Sequence, residues 1–125
     1  MILVWIALGG GLGSVLRYLV FVKVDQLHSW LFPVGILTAN IIGSFLMGFL
    51  AWTFTYRIQL AEDYRAAILV GLLGGFTTFS SFSHETLQQI LLGAYLSALL
   101  NVVLSVVLCI IAAGAGLALA KLLLT

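Results

Sequence analysis

Charge is what this chain has least of. Charged residues make up 7% of its 125 positions and apolar ones 63%, a balance that a water-soluble domain does not carry. By composition it is a membrane protein. Five basic residues stand against four acidic ones with no basic block, so neither nucleic acid nor an anionic membrane surface is suggested as a partner. The single cysteine, Cys109, excludes an intrachain disulfide and leaves the redox compartment open. His28 and His84 are far apart in the chain and Cys109 has no ligand type beside it, so no transition-metal site is expected. No Ser/His/Asp set and no paired carboxylates occur, which disfavours a membrane enzyme. The first apolar segment lacks a preceding basic region and a small-residue cleavage signal, so it is expected to be retained rather than removed as a signal peptide.

What the chain has instead is long apolar runs. A helix needs about 20 mostly apolar residues to cross roughly 30 Å of hydrocarbon. Four stretches qualify, approximately Ile2–Val22, Phe32–Thr55, Tyr64–Leu92 and Tyr95–Leu124. The linkers hold most of the charge: Lys23, Asp25 and His28 in the first, Arg57, Glu62, Asp63 and Arg65 in the second, with the third little more than Gly93. Pro33 opens the second span at a tolerated first-turn position, and Trp5, Trp30, Trp52, Tyr56 and Tyr95 fall near span ends, where amphipathic rings favour the headgroup level. The pattern predicts one all-α domain over residues 1–125, four helices joined by short connections.

Alternate crossing puts Arg57, Arg65 and Lys121 on one side of the membrane and Arg17 and Lys23 on the other. So small a bias does not set one topology. It permits insertion both ways up, and hence an antiparallel two-fold dimer. It equally leaves open that one decisive charge fixes a single orientation.

Gly9 and Gly13, Gly35, Ala39 and Gly43, Ser44 and Gly48, and Gly71 and Gly75 recur at four-residue intervals. Such stripes let helix backbones approach closely in lipid, and tight packing accounts for most of the glycines. It does not account for the polar residues. Asn40 lies mid-span, with Ser44 one turn later and Thr38 close by; a buried amide in hydrocarbon needs partners, and interhelical bonding worth about 1 kcal/mol is a sufficient reading of Asn40 taken alone. In the fourth span Ser97, Asn101, Ser105 and Cys109 make one polar stripe. Serines can bond back to the preceding turn, but Asn101 has two donors and an acceptor to place. Arg17 and Lys121 can snorkel to the interface. Glu85 sits well inside the third span and needs a water-filled cavity, a partner or a proton.

The third span also interrupts itself with GGFTTFSSF, residues 74–82. Paired glycines cost helix stability and the threonines add β-branching, so a helix break is predicted near Gly74–Thr78. Freed carbonyls at membrane depth survive only when buried in protein, lining water or coordinating an ion, and they suit a hard cation such as sodium. Beyond the break Phe79 and Phe82 share a face, with the hydroxyls of Ser80, Ser81 and Ser83 alongside. The positive edges of aromatic rings can face an anion in a narrow, dry passage. With the Asn and Ser donors, that predicts a path for a small, desolvated anion.

Four segments, GGGLGSVLRY at 9–18, GILTANIIGSFLMG at 35–48, GLLGGFTTFSSFSHE at 71–85 and NVVLS at 101–105, make the chain resemble the small fluoride channel family known as Fluc or CrcB. The resemblance implies an antiparallel, dual-topology homodimer in the bacterial inner membrane that lowers cytoplasmic fluoride by passive export. It also implies a structural sodium ion at the dimer centre, held by the Gly74 and Thr77 carbonyls of both copies. By the same resemblance Phe79 and Phe82 match pore-lining rings, Asn40 a central amide donor, and Ser80, Ser81 and Ser105 a polar track. Glu85 matches an acidic position near the pore entrance and Arg17 a basic one at the vestibule. Many relatives carry Tyr at the position of Asn101 and Ser at that of Cys109; Asn101 still donates and is kept in the pathway, whereas a thiol donates weakly and Cys109 is left out. The main rival, a small multidrug-type proton antiporter, needs an acid near the middle of its first span, and Ile2–Val22 contains none. A purely structural assembly protein is the third reading, in which Asn40, Phe79 and Phe82 only hold helices together.

Overall fold

The computed structural model describes residues 1–27 and 32–125; His28 and Trp30 therefore lie outside the described residues. Its elements are α1 (Ile2–Leu27), α2 (Val34–Tyr56), α3 (Glu62–Ala66), a π-helical segment (Ala67–Leu73), α4 (Gly74–Phe76), α5 (Ser80–Leu91) and α6 (Tyr95–Leu124). Four helical stretches are long and apolar enough to cross a membrane, the third being the composite Glu62–Leu91. The predicted spans correspond to these four, but α1 continues past Val22 to Leu27 and so carries Lys23 and Asp25. Glu62, Asp63 and Arg65 belong to the first turns of the third span and not to the linker before it. Gly93, with φ +77°, makes the tight turn between α5 and α6, a backbone geometry glycine adopts without steric cost.

The buried core is thin and is made of Ile36, Ala39, Leu73, Phe76, Phe82, Ala98 and Ala120. Large apolar side chains such as Leu3, Leu8, Ile110 and Leu122 point outward, as lipid contact allows. With so little side-chain core, backbone proximity does much of the packing, and the small-residue stripes supply it. A Cβ at Gly48 would collide with the Ala113 carbonyl of α6, and one at Gly116 with the Phe45 carbonyl of α2. On the other side Gly9 and Gly13 of α1 lie against the carbonyls of Ala67 and Leu72, while Gly71 and Gly75 approach the carbonyls of Ile6 and Gly10. The π-helical segment, which no local pattern predicts, lies at this α1 contact.

One consequence can be measured. Gly48→Ala forces α2 and α6 apart and is expected to cost about 1–3 kcal/mol, the usual scale of overpacking, read as a lowered melting midpoint in detergent. Gly114→Ala, where nothing stands within 4 Å of the new methyl, is the control and is expected to leave the midpoint unchanged or slightly raised. Equal losses at both positions would contradict a glycine-mediated α2–α6 contact.

The span ends carry aromatic contacts. Trp5 meets Tyr64 edge-on at 5.0 Å, and Arg57 lies 5.9 Å over the Trp52 ring. Arg65 Nη2 donates to Thr55 Oγ1 at 3.1 Å, tying the start of the third span to the end of the second.

Candidate functional site

The helix break in the third span occurs at Thr77–Phe79, between α4 and α5. Gly74 and Gly75 are helical, so the predicted break near Gly74–Thr78 is correct in its second half only. The glycine pair costs helix propensity, but Gly75 recovers it by letting α4 press against Gly10, whose carbonyl lies 2.6 Å from where a Cβ would stand. Phe76, buried beside Gly13 and Gly43, is a packing residue. Thr77 is the first residue to turn extended, at φ −88° and ψ 155°. Gly43 on α2 leaves the space its methyl fills.

What ends the helix is competition for its hydrogen bonds. The Thr78 N–H, which would continue the helix by donating to the Gly74 carbonyl, donates to Asn40 Oδ1 at 2.8 Å. Asn40 Nδ2 in turn donates to the Thr78 carbonyl at 3.1 Å. The Asn40 amide thus pairs with the backbone of one residue as a neighbouring peptide would, satisfying a donor and an acceptor that would otherwise each cost about 1–3 kcal/mol. The Ser81 N–H, which would reach the Thr77 carbonyl, donates to Thr78 Oγ1 at 3.2 Å, so Thr78 caps the first turn of α5. The two carbonyls released from helical bonding in this way are those of Gly74 and Thr77. Arg17 Nη1 approaches the Thr77 carbonyl at 3.5 Å and takes one of its two lone pairs, leaving the other available. This donor set of neutral carbonyl oxygens fits a hard cation such as sodium.

Two clefts flank the break and divide the predicted site residues other than Asn101 between them. One, of about 600 Å³, is lined by Asn40, Gly74, Thr77, Phe79, Phe82 and Ser105, with Cys109 at its wall. Phe79 and Phe82 stand 5.3 Å apart between centroids at 47°, yet their surroundings differ: Phe82 is 8% exposed and Phe79 77%. The other cleft, of about 490 Å³, holds Arg17, Ser80, Ser81 and Glu85, together with Ser14 and His84. Glu85 Oε2 is buried there with no hydrogen-bond partner among the described residues.

Asn101 lines neither cleft. It is 1% exposed, and its Nδ2 donates to Thr86 Oγ1 at 2.9 Å while its Oδ1 accepts from Ser105 Oγ at 3.3 Å. Its amide therefore joins α6 to α5, and of the polar stripe it is Ser105 and Cys109 that meet the cleft. Gln89 Nε2 extends the same seam by donating to Ser97 Oγ at 2.7 Å. Spacing along the chain points to none of Thr78, Thr86 and Gln89 as members of these networks. Thr78 lay within the interrupted stretch, but the partners of Thr86 and Gln89 are on another helix, where no local periodicity reaches.

A broken third span between two polar-rimmed clefts, in a chain with four membrane-length helices, defines a small multi-pass membrane protein. The chain belongs to the family described as CrcB-like protein, Camphor Resistance (CrcB), whose pattern matches residues 4–117. Among its relatives is the fluoride-specific ion channel FluC of Magnetococcus marinus, 44% identical over 122 residues that cover 95% of this chain and 97% of the relative. The protein of the same name from Hahella chejuensis is 40% identical, with 98% and 96% covered. That from Methylococcus capsulatus is 51% identical over 93% of this chain, which spans 51% of that longer relative.

Proposed function

We propose that the chain is a fluoride channel that lets fluoride leave the cytoplasm passively across the inner membrane of a bacterium. The observation that carries the reading is the larger cleft, where Asn40, Phe79, Phe82 and Ser105 gather on one side of the helix break. Relatives covering nearly the whole chain bear the name fluoride-specific ion channel. Ring edges and neutral donors can replace the hydration of a small anion without binding it too tightly to leave. Selectivity over chloride is steric in this account, because a passage lined by rigid side chains fits the smaller halide. Arg17, Ser80, Ser81 and Glu85 form the polar approach to it, and Asn101 acts from behind Ser105.

The functional unit in this reading is an antiparallel homodimer of oppositely inserted copies. Phe79, largely exposed in a single copy, is the ring a second copy would cover. A structural, untransported sodium ion would be held by the Gly74 and Thr77 carbonyls of both copies, supplying positive charge that ties the two breaks together.

Purified protein in liposomes is expected to pass fluoride far faster than chloride, with no coupled proton movement; equal flux of the two anions would sink the selectivity claim. Replacing sodium by a large organic cation is expected to slow fluoride efflux or dissociate the dimer. Unchanged efflux and unchanged dimer in sodium-free buffer would argue against an ion at Gly74 and Thr77. Labelling of loop cysteines from one membrane face only would contradict opposed insertion.

A further inference from the structure

Ser105 faces the larger cleft, but its hydroxyl proton is committed elsewhere. Its Oγ donates to Asn101 Oδ1, an atom that can only accept, so Ser105 turns lone pairs toward the cleft. An anion there needs the proton. The orientation of the Asn101 amide is decided in turn by Thr86. The Thr86 hydroxyl donates to the Phe82 carbonyl at 2.8 Å, which leaves its oxygen as an acceptor and draws Asn101 Nδ2 toward α5. If the Thr86 hydroxyl swings from the Phe82 carbonyl to Asn101 Oδ1, the amide turns over, Nδ2 donates to Ser105, and the Ser105 proton is released to the cleft. Each polar atom of the seam keeps a partner through this exchange except the Phe82 carbonyl, which keeps any helical bond it receives.

We propose that Thr86 is a positioning residue for anion passage: its hydroxyl sets which way the buried Asn101 amide faces, and so whether Ser105 presents a proton or a lone pair to the cleft. This rests on the reading of the chain as a fluoride channel and concerns a residue behind the cleft wall, not in it.

The test compares fluoride efflux from proteoliposomes for the native chain, Thr86→Val, Thr86→Ser, Ser105→Ala and the Thr86→Val/Ser105→Ala pair. Thr86→Val keeps the shape and removes the hydroxyl; efflux is expected to fall about tenfold, the scale of one lost buried hydrogen bond. Thr86→Ser, which restores the hydroxyl, is expected to stay within about twofold of native. Because Thr86 acts through Ser105, adding Thr86→Val to Ser105→Ala should change efflux by less than about twofold, a sign of coupling rather than additivity. A second readout does not depend on flux. The chain has two asparagines, Asn40 and Asn101, so ¹⁵N-asparagine labelling gives two side-chain amide signals. Thr86→Val should move that of Asn101 and leave that of Asn40 in place. Native-like efflux in Thr86→Val, multiplying losses in the double variant, or an unmoved Asn101 signal each overturns the proposal. A native chain that passes no fluoride overturns the channel reading and this proposal with it, whereas a conducting native chain beside an unaltered Thr86→Val overturns this proposal alone.

Discussion

Asn40→Asp is expected to lower fluoride efflux at least about a hundredfold, which corresponds to roughly 3 kcal/mol. The carboxylate keeps an acceptor for the Thr78 N–H, but it sets an oxygen against the Thr78 carbonyl where Asn40 Nδ2 donates at 3.1 Å. It also adds negative charge to the wall of an anion path. The lost bond, the unsatisfied carbonyl and the repulsion together reach that scale. Asn40→Ala separates the two causes. It introduces no charge, and it returns the Thr78 N–H to the Gly74 carbonyl, so that the helix can heal across the break. In this account Asn40→Ala also loses conduction, and the dimer's response to sodium weakens because one released carbonyl is recaptured. If Asn40→Ala conducts normally while Asn40→Asp does not, charge alone matters and the break is not held by Asn40.

The reason Asn40 matters is also the reason the break was legible only in part. The spans follow from run length and hydropathy, which are local, and the structure reproduces them. The existence of an interruption at residues 74–82 is also local. Its position is not, because Gly75 lets α4 press against Gly10 on α1 and so keeps the glycine pair helical, and the helix gives way where a side chain 38 residues earlier captures the Thr78 backbone. Intrinsic propensity cannot register a tertiary competitor. The same limit hid the second network. The sequence marks Asn101 as an amide in need of partners, but nothing local marks Thr86, whose hydroxyl bonds back along its own helix as well as accepting from Asn101. The π-helical turn at Ala67–Leu73 has no signature in the apolar pattern. The charge count does not decide opposed insertion, and nothing in the residue pattern beyond the family resemblance points to sodium in particular.

Phe79→Ile is the second substitution with a large expected effect: about a tenfold or greater loss of fluoride efflux with the protomer's stability nearly unchanged. The ring is 77% exposed in one copy, so its removal forfeits little burial within that copy. What it removes is a ring that lines the cleft and whose polarised edge suits an anion. Phe82→Ile behaves differently. Phe82 is 8% exposed, and a smaller, β-branched side chain there leaves a void, costing about 1–3 kcal/mol of stability besides flux. Melting midpoints in detergent and efflux rates, measured on both variants, separate the roles. A Phe79→Ile protein that conducts like the native chain would return the rings to packing, as the assembly-protein reading holds. A Phe79→Ile protein that melts much earlier without losing flux would do the same.

The central claim is that the cleft beside the broken third span passes fluoride. The most direct test is efflux from proteoliposomes followed with a fluoride electrode, native chain against Asn40→Asp, with chloride efflux measured in parallel. The account predicts rapid fluoride release by the native chain, little chloride release, and near-background fluoride release by the variant. Fluoride release that is equal in native and Asn40→Asp vesicles, or that chloride matches, would contradict it.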